Sequence, residues 1–312
     1  MLNYIIRRIL IMFPTLLAIT FIVLGIMELT PSSPALSMIG YDASPEQIEQ
    51  LNHELGYDRP FLVRYVDYVL GLFKGDMGVS YRNGRPVFDE IMQRFPTTLK
   101  LAAIAIPLAL ITGIPLGIMS AVKQYSIFDF IGTIIAMFMA SMPGFWLGLM
   151  LILLFSLKLG WLPSYGIETW KHFILPSVTL AIPSTAAFLR LTRTTMLESI
   201  RQDYIRTARA KGQTEQVVIL NHAARNALLP VITYAGMEMG VLIGGIVTIE
   251  MVFSINGVGN MLLTAIRTKD ILLVTGCAIF LAFSFMVVLL VVDILYAFID
   301  PRIKAKYIKE SK

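Results

Sequence analysis

Six apolar runs, each long enough as a helix to cross a bilayer, constrain this chain more than any other feature. They lie at 9–30, 101–121, 130–157, 173–189, 228–253 and 271–299. The first holds about 22 residues, or roughly 33 Å of helix, against a hydrocarbon core of ~30 Å. A cleaved signal peptide has an apolar stretch of only about 7–15 residues, so a retained first helix is expected. Charged residues make up 15% of the chain and apolar ones 56%, whereas a soluble domain carries about 25% charged residues. The length of 312 residues would otherwise suit a pair of soluble domains. Pro107, Pro115, Pro143, Pro176 and Pro183 fall in or beside the runs. Neighbouring helices re-satisfy the backbone groups that proline frees, so these residues read as shaping the helices.

Orientation follows from lysine and arginine in the short loops. With the N-terminus inside, fifteen of the 26 basic residues lie on the inner side, seven of them between Arg190 and Arg225. The short outer loops hold only Lys158, Lys171, Arg267 and Lys269. Both termini are therefore expected in the cytoplasm. The net charge of +5 is dispersed, which fits topology and acidic lipid headgroups, not nucleic acid. The single cysteine, Cys277, lies in an apolar run. It reads as a small core residue and says nothing of redox compartment.

The outer segment 31–97 carries helix signals of its own. Ser44-Pro45-Glu46-Gln47 reads as an N-cap with proline at the first helical position and a capping box. Ile48, Leu51 and Leu55 share a face, and Gly56 ends the helix. A second helix is expected from Pro60, with Leu62, Tyr65, Val66, Val69 and Phe73. No internal repeat is visible.

Motifs for chemistry are absent. The sequence has no G-x-x-x-x-G-K-[ST] phosphate loop, no H-E-x-x-H, no C-x-x-C and no G-x-S-x-G. His53, His172 and His222 are scattered over both sides of the expected membrane, so no metal site is expected. Energised work would need a separate subunit or an ion gradient.

The basic stretch 203–230 reads as a docking surface. Leu197, Ile200, Tyr204 and Ala208 are spaced as one helical face, with Gln202, Arg206, Arg209 and Gln213 opposite. Gly212 suits a left-handed position after a helix. Thr214 can cap a second helix, with Glu215 at its positive end. The expected product is two short helices hinged at Gly212. A solvated loop obeying the positive-inside rule is the alternative reading.

This stretch resembles the cytoplasmic coupling loop of ABC-importer permeases. Aligned on Gly212, the signature alanine pair falls on Thr207 and Ala208, and its glutamate on Arg206. Fourteen residues, 213–226, separate Gly212 from Ala227-Leu228-Leu229-Pro230, where the general signature has fewer. Both departures are similar to permeases for di- and oligopeptides and nickel. Gly75–Tyr81, Arg85-Pro86-Val87, Arg94–Leu99 and Glu250–Phe253 followed by Gly257-Val258-Gly259 also resemble that subgroup, although Asn256 stands where proline is usual. The resemblance covers nearly the whole chain. It implies an all-α integral membrane protein of six transmembrane helices with the type I importer fold. An N-terminal helix (1–30) and an extracytoplasmic segment (31–97) would precede a five-helix core (98–299). The core would hold the coupling loop (197–228), and a basic cytoplasmic tail (300–312) would follow. It also implies a homologous second permease, two cytoplasmic ATPases carrying ATP and magnesium, an extracytoplasmic substrate-binding protein and a prokaryotic plasma membrane. The chain itself would hold no cofactor and would not be an enzyme. The expected coupling residues are Asp203, Arg206, Thr207, Ala208, Arg209, Ala210, Lys211, Gly212, Leu229 and Pro230.

Two acids in the fifth run are pathway or gate candidates. Glu238 lies near its middle, where an ionised carboxylate costs about 3 kcal/mol and should face the bundle or a wet cavity. Glu250 lies near its outer end. On one continuous helix the two would be about 120° apart. Glu238 could meet a cationic group such as a peptide amine or Ni²⁺, or serve as a structural hydrogen-bonding acid. Asp293, near the inner end of the last run, reads as an anchor or helix contact. Peptide import is the leading expectation, with nickel import, an ATP-independent secondary transporter and a membrane enzyme as alternatives.

Overall fold

A computed structural model describes residues 2–29, 34–39 and 43–299. The expected basic tail, 300–312, lies outside them. The described residues form fourteen α-helices and no named strand. The first apolar run lies in α1 (Leu2–Glu28), followed by α2 (Pro34–Ile39), α3 (Pro45–Glu54) and α4 (Phe61–Phe73). Then come α5 (Val87–Val122), α6 (Ile127–Ser141), α7 (Gly144–Leu151), α8 (Ile174–Ile200), α9 (Asp203–Ala210) and α10 (Glu215–Val217). The chain closes with α11 (Ala224–Gly245), α12 (Val247–Val252), α13 (Val258–Arg267) and α14 (Ile271–Ile299). Five helices are long and apolar enough to cross a membrane, and six if the bent pair α6–α7 counts as one span.

The capping box of α3 is formed as its residues require. Ser44 Oγ accepts from the Gln47 amide, Gln47 Oε1 accepts from the Ser44 amide, and Pro45 opens the helix. Gly56 takes φ +65° just past its end. Helix α5 starts at Val87, well before the apolar run at 101, because Asp89 and Glu90 sit favourably in its first turn. At 36 residues it exceeds a bilayer core by several turns.

Two expected spans are not single helices. The run 130–157 is broken between Ser141 and Gly144, with a bend of 100°. Met142 is extended (ψ 126°) and Pro143 caps α7, as the clash before proline demands. The run 228–253 begins earlier, at Ala224, and breaks at Ile246 after the pair Gly244-Gly245. Glu238 and Glu250 therefore lie on different helices, and the 120° offset expected for one continuous helix does not apply. By contrast, α1, α8 and α11 run through Pro14, Pro183 and Pro230.

The chain divides into two compact units. One holds the described residues up to Leu99 together with Asn256–Val287. In it, Arg64 Nη2 and the Tyr57 hydroxyl donate to Glu28 at 2.6 and 3.2 Å, fastening the segment after α3 to α1. The turn 75–86 is tied by Ser80 Oγ donating to Asp270 at 2.5 Å and by an isolated bridge between Val79 and Pro86. Burial, and then the Asp270 charge, pushes the Tyr81 hydroxyl up to about 12, so it stays neutral. Glu90, 3% exposed, pairs with Arg85 and Arg94. Arg94 Nε also donates to Asn256 Oδ1 at 2.9 Å.

The other unit holds 100–255 and the end of α14. Gly113 and Gly117 let α5 pass close against Thr185, Phe188, Leu189 and Thr192 of α8, the use small residues have between membrane helices. Thr112 and Thr185 share a hydrogen bond at 2.9 Å in the same crossing. Ala136 of α6 meets Ala186 and Leu189 of α8, and Gly148 of α7 faces Phe253.

Candidate functional site

The basic stretch folds as two short helical pieces about a glycine. Helix α9 carries an acid, Asp203, in its first turn and Arg209 in its last, both favourable to the helix dipole. Ile205 and Ala208 are its buried face. They pack in one apolar cluster with Ala121, Met196, Val218, Ile219, Ala223, Ala224 and Ala227, residues from the ends of α5, α8 and α11 and from the connecting π-helix Val218–Ala223. The short helix is therefore seated on the adjoining ends of three long ones. Burial of two side chains anchors it, since eight residues make a marginal helix alone.

Gly212 has φ +74°, the left-handed region where a side chain is penalised. Three links cross or flank the hinge. Arg209 donates from Nε and Nη2 to the two Glu215 oxygens at 3.1 and 2.6 Å. This hydrogen bonding raises the Arg209 pKa further, so the guanidinium stays charged. His222 Nε2 and Gln213 Oε1 pair at 2.6 Å. Ser199 Oγ donates to the Ala223 carbonyl at 2.9 Å and pairs with the Tyr204 hydroxyl at 2.6 Å.

Of the residues expected to couple, Asp203, Arg206, Thr207, Arg209, Ala210, Lys211 and Gly212 are exposed together on this surface. Ala208 is buried and serves the seat. Leu229 and Pro230 lie within α11, away from the hinge in sequence, where Pro230 is exposed. Three expectations are corrected. The face through Leu197, Ile200, Tyr204 and Ala208 is not continuous, because α8 ends at Ile200 and α9 starts at Asp203. Ile205, missed by that spacing, is the buried anchor, while Tyr204 is 40% exposed. Thr214 occupies the N-cap position without a side-chain cap bond. The apolar Tyr204, Val217 and Leu220 are exposed here as well, giving the basic surface an apolar component that a partner can cover.

The two candidate pathway acids differ. Glu238 is half-buried and its Oε1 accepts from Ser184 Oγ of α8 at 2.8 Å. Tyr234, one turn earlier, packs edge-on to Phe188 with ring centres 5.5 Å apart. Glu250 is fully buried in α12. A third acid was missed by hydropathy. Asp129 of α6, 4% exposed, is bound by Arg193 of α8. Ser126-x-x-Asp129 before an apolar run is a cap signature that marks its place, and Ser126 Oγ does accept from the Asp129 amide.

Two family models match the chain. One, described as the binding-protein-dependent transport system inner membrane component, matches residues 113–305. Its N-terminal companion matches residues 1–102. A dipeptide transport system permease protein, DppB, from Alkalihalophilus pseudofirmus is 39% identical over 332 aligned residues, covering 97% of this chain and 100% of that protein. A glutathione transport system permease protein, GsiC, from Escherichia coli K12 is 39% identical over 306 residues, covering 98% and 100%. In structure, a chain of the MetNI methionine ABC transporter in an inward-facing conformation superposes with a TM-score of 0.55 at 17% identity, covering 67% of this chain and 96% of that one. A chain of an amino acid ABC transporter gives 0.52 at 16%, covering 69% and 94%. The expected fold class, an all-α type I importer permease, stands.

Proposed function

Because the chain belongs to the binding-protein-dependent transport system inner membrane component family, we propose that it is the membrane-spanning subunit of an ATP-driven ABC importer for small peptides. The observation that carries the peptide class is 39% identity over nearly the full length to permeases named for dipeptide and glutathione transport. Nickel import is the second reading, and the resemblance to a subgroup that includes nickel permeases is what keeps it. The chain is a multi-pass membrane protein, and its family works with ATPase and substrate-binding partners. The finer assembly is a homologous second permease, two ATPases that carry ATP and magnesium, and both termini in the cytoplasm. The inner-side excess of basic residues supports that orientation.

In this reading, ATP-driven closure of the ATPases pushes on α9. Arg206, Arg209 and Lys211 supply charge at the contact, and Tyr204 and Leu220 supply apolar area. The seat of Ile205 and Ala208 passes the push to α5, α8 and α11, and the permease pair alternates between outward and inward access. Glu238 lines the path and meets the ammonium group of a peptide, while Glu250, fully buried, belongs to an outer gate in its closed form.

One experiment tests partner and orientation together. Purified cognate ATPases should bind inside-out vesicles carrying this chain and its permease partner, and should not bind right-side-out ones. The chain alone should turn over no ATP. Binding to right-side-out vesicles would reverse the orientation, and ATP turnover by the isolated chain would remove the division of labour. For the pathway, Glu238→Gln preserves size and should lower peptide uptake about tenfold, within the range of a lost charge-assisted contact, with assembly intact. Unchanged uptake would make Glu238 a structural partner of Ser184.

A further inference from the structure

The ion pair of Asp129 and Arg193 lies beside the coupling surface without belonging to it. Arg193 donates from Nε to Asp129 Oδ1 at 2.7 Å and from Nη2 to Oδ2 at 2.8 Å, a parallel fork. The Ser120 hydroxyl donates to the same carboxylate, as does the Tyr125 amide at 3.0 Å. One carboxylate on α6 is thus held by α5, by the turn between α5 and α6, and by α8. The Asp129 side chain is 6% exposed and that of Arg193 26%.

Its neighbours in sequence belong to the seat of the coupling helix. Ala121 follows Ser120, and Met196 lies one turn beyond Arg193. Both pack in the cluster that holds Ile205 and Ala208. The described members of that cluster come from α5, α8, α9, the π-helix and α11, and none from α6. Helix α6 also packs extensively along α8, with Ala136 buried against Ala186 and Leu189 farther along. Movement of α9 therefore reaches α5, α8 and α11 by direct packing. At the near end of α6, beside the short turn from α5, the Arg193 fork and the Ser120 hydroxyl grip Asp129 in addition to the packing of α6 on α8. A guanidinium–carboxylate fork fixes separation and rotation together. At its other end α6 turns by 100° into α7, so its displacement is handed on to a second segment.

We propose that Asp129 and Arg193 are positioning residues for transport, their fork carrying displacement of the ATPase-facing loop into α6 and α7. The proposal rests on the reading of residues 203–212 as the ATPase contact. Stability alone does not call for charges here, because well-packed apolar residues replace many buried ion pairs without loss.

The test uses the full complex with its ATPases and binding protein in proteoliposomes, and reads peptide transported per ATP hydrolysed. Asp129→Asn and Arg193→Gln should each assemble with the ATPases yet lower that ratio about tenfold, the scale of allosteric coupling between sites. Asp129→Glu, which keeps the carboxylate, should retain most of it. An unchanged ratio in Asp129→Asn and Arg193→Gln would overturn the proposal. So would loss of assembly in both, which would make the pair a fold determinant only. Gly212→Val, measured alongside, separates the two claims. A coupling defect there with none in the ion-pair variants removes this proposal alone, and no defect in either removes the reading of the loop as well.

Discussion

Gly117→Val is expected to remove the folded chain from the membrane. A Cβ at Gly117 would lie 2.6 Å from Thr192 Cβ and 2.7 Å from the Leu189 carbonyl oxygen, and one at Gly113 would lie 2.9 Å from the Thr185 carbonyl oxygen. Overpacking costs about 1–3 kcal/mol where side chains can shift. Here the opposing atoms include backbone of α8, so α5 and α8 must part. The loss is then a large share of the ~5–15 kcal/mol that holds a typical domain. The check is the amount and dispersity of detergent-extracted protein. Gly132→Val is the control, because a Cβ there meets nothing within 4 Å, and it should accumulate as the parent does. Normal accumulation of Gly117→Val would mean that the two helices do not cross this closely.

Gly212→Val is expected to do the opposite, leaving the protein inserted while disconnecting it from ATP. A Cβ at Gly212 also meets nothing within 4 Å, so the penalty is confined to the backbone at φ +74°, roughly 1–2 kcal/mol. That is too little to unfold the bundle. It is enough to re-aim α9 against Glu215, across the hinge that Arg209 spans. Peptide-loaded binding protein should no longer accelerate ATP hydrolysis, and uptake should fall about tenfold, as for a lost coupling of 1–2 kcal/mol. Asn tolerates the left-handed region, so Gly212→Asn should keep most of the activity. Reversing Arg206 and Arg209 together would be harder to read, because Arg209 is already engaged by Glu215. Arg206→Glu alone probes the outward charge, since its internal partner Asp203 lies 3.5 Å away and both are highly exposed. Wild-type coupling in Gly212→Val would show that the hinge angle does not matter.

Much of this was legible because membrane helices declare themselves locally. Apolar run length gave the order of the spans, Ser44 to Gln47 gave the start of α3, and Gly212 gave the hinge. What hydropathy missed shares one cause, dependence on tertiary context. Pro183 and Pro230 leave their helices continuous, while Pro143 ends one, and a proline within an apolar run does not by itself say which. The breaks at Met142 and Ile246 were therefore invisible, and with the second went the expected offset between Glu238 and Glu250. Ile205 was overlooked because the helical phase was carried through Arg201 and Gln202, where the chain resets. The Asp129–Arg193 fork joins residues 64 positions apart, and only the cap signature at Ser126 hinted that Asp129 had a fixed place.

On the proposed function, this chain moves peptides only when a separate ATPase works on the surface around Gly212. Uptake of a labelled dipeptide into proteoliposomes tests it most directly. The vesicles would hold this chain, its permease partner and the ATPases, with binding protein on the outside of the bilayer and ATP on the ATPase side. Uptake should need ATP, ATPases and binding protein together, and should be lost in Gly212→Val although the complex stays assembled. Uptake that persists without the ATPases, or that follows an ion gradient in their absence, would contradict it.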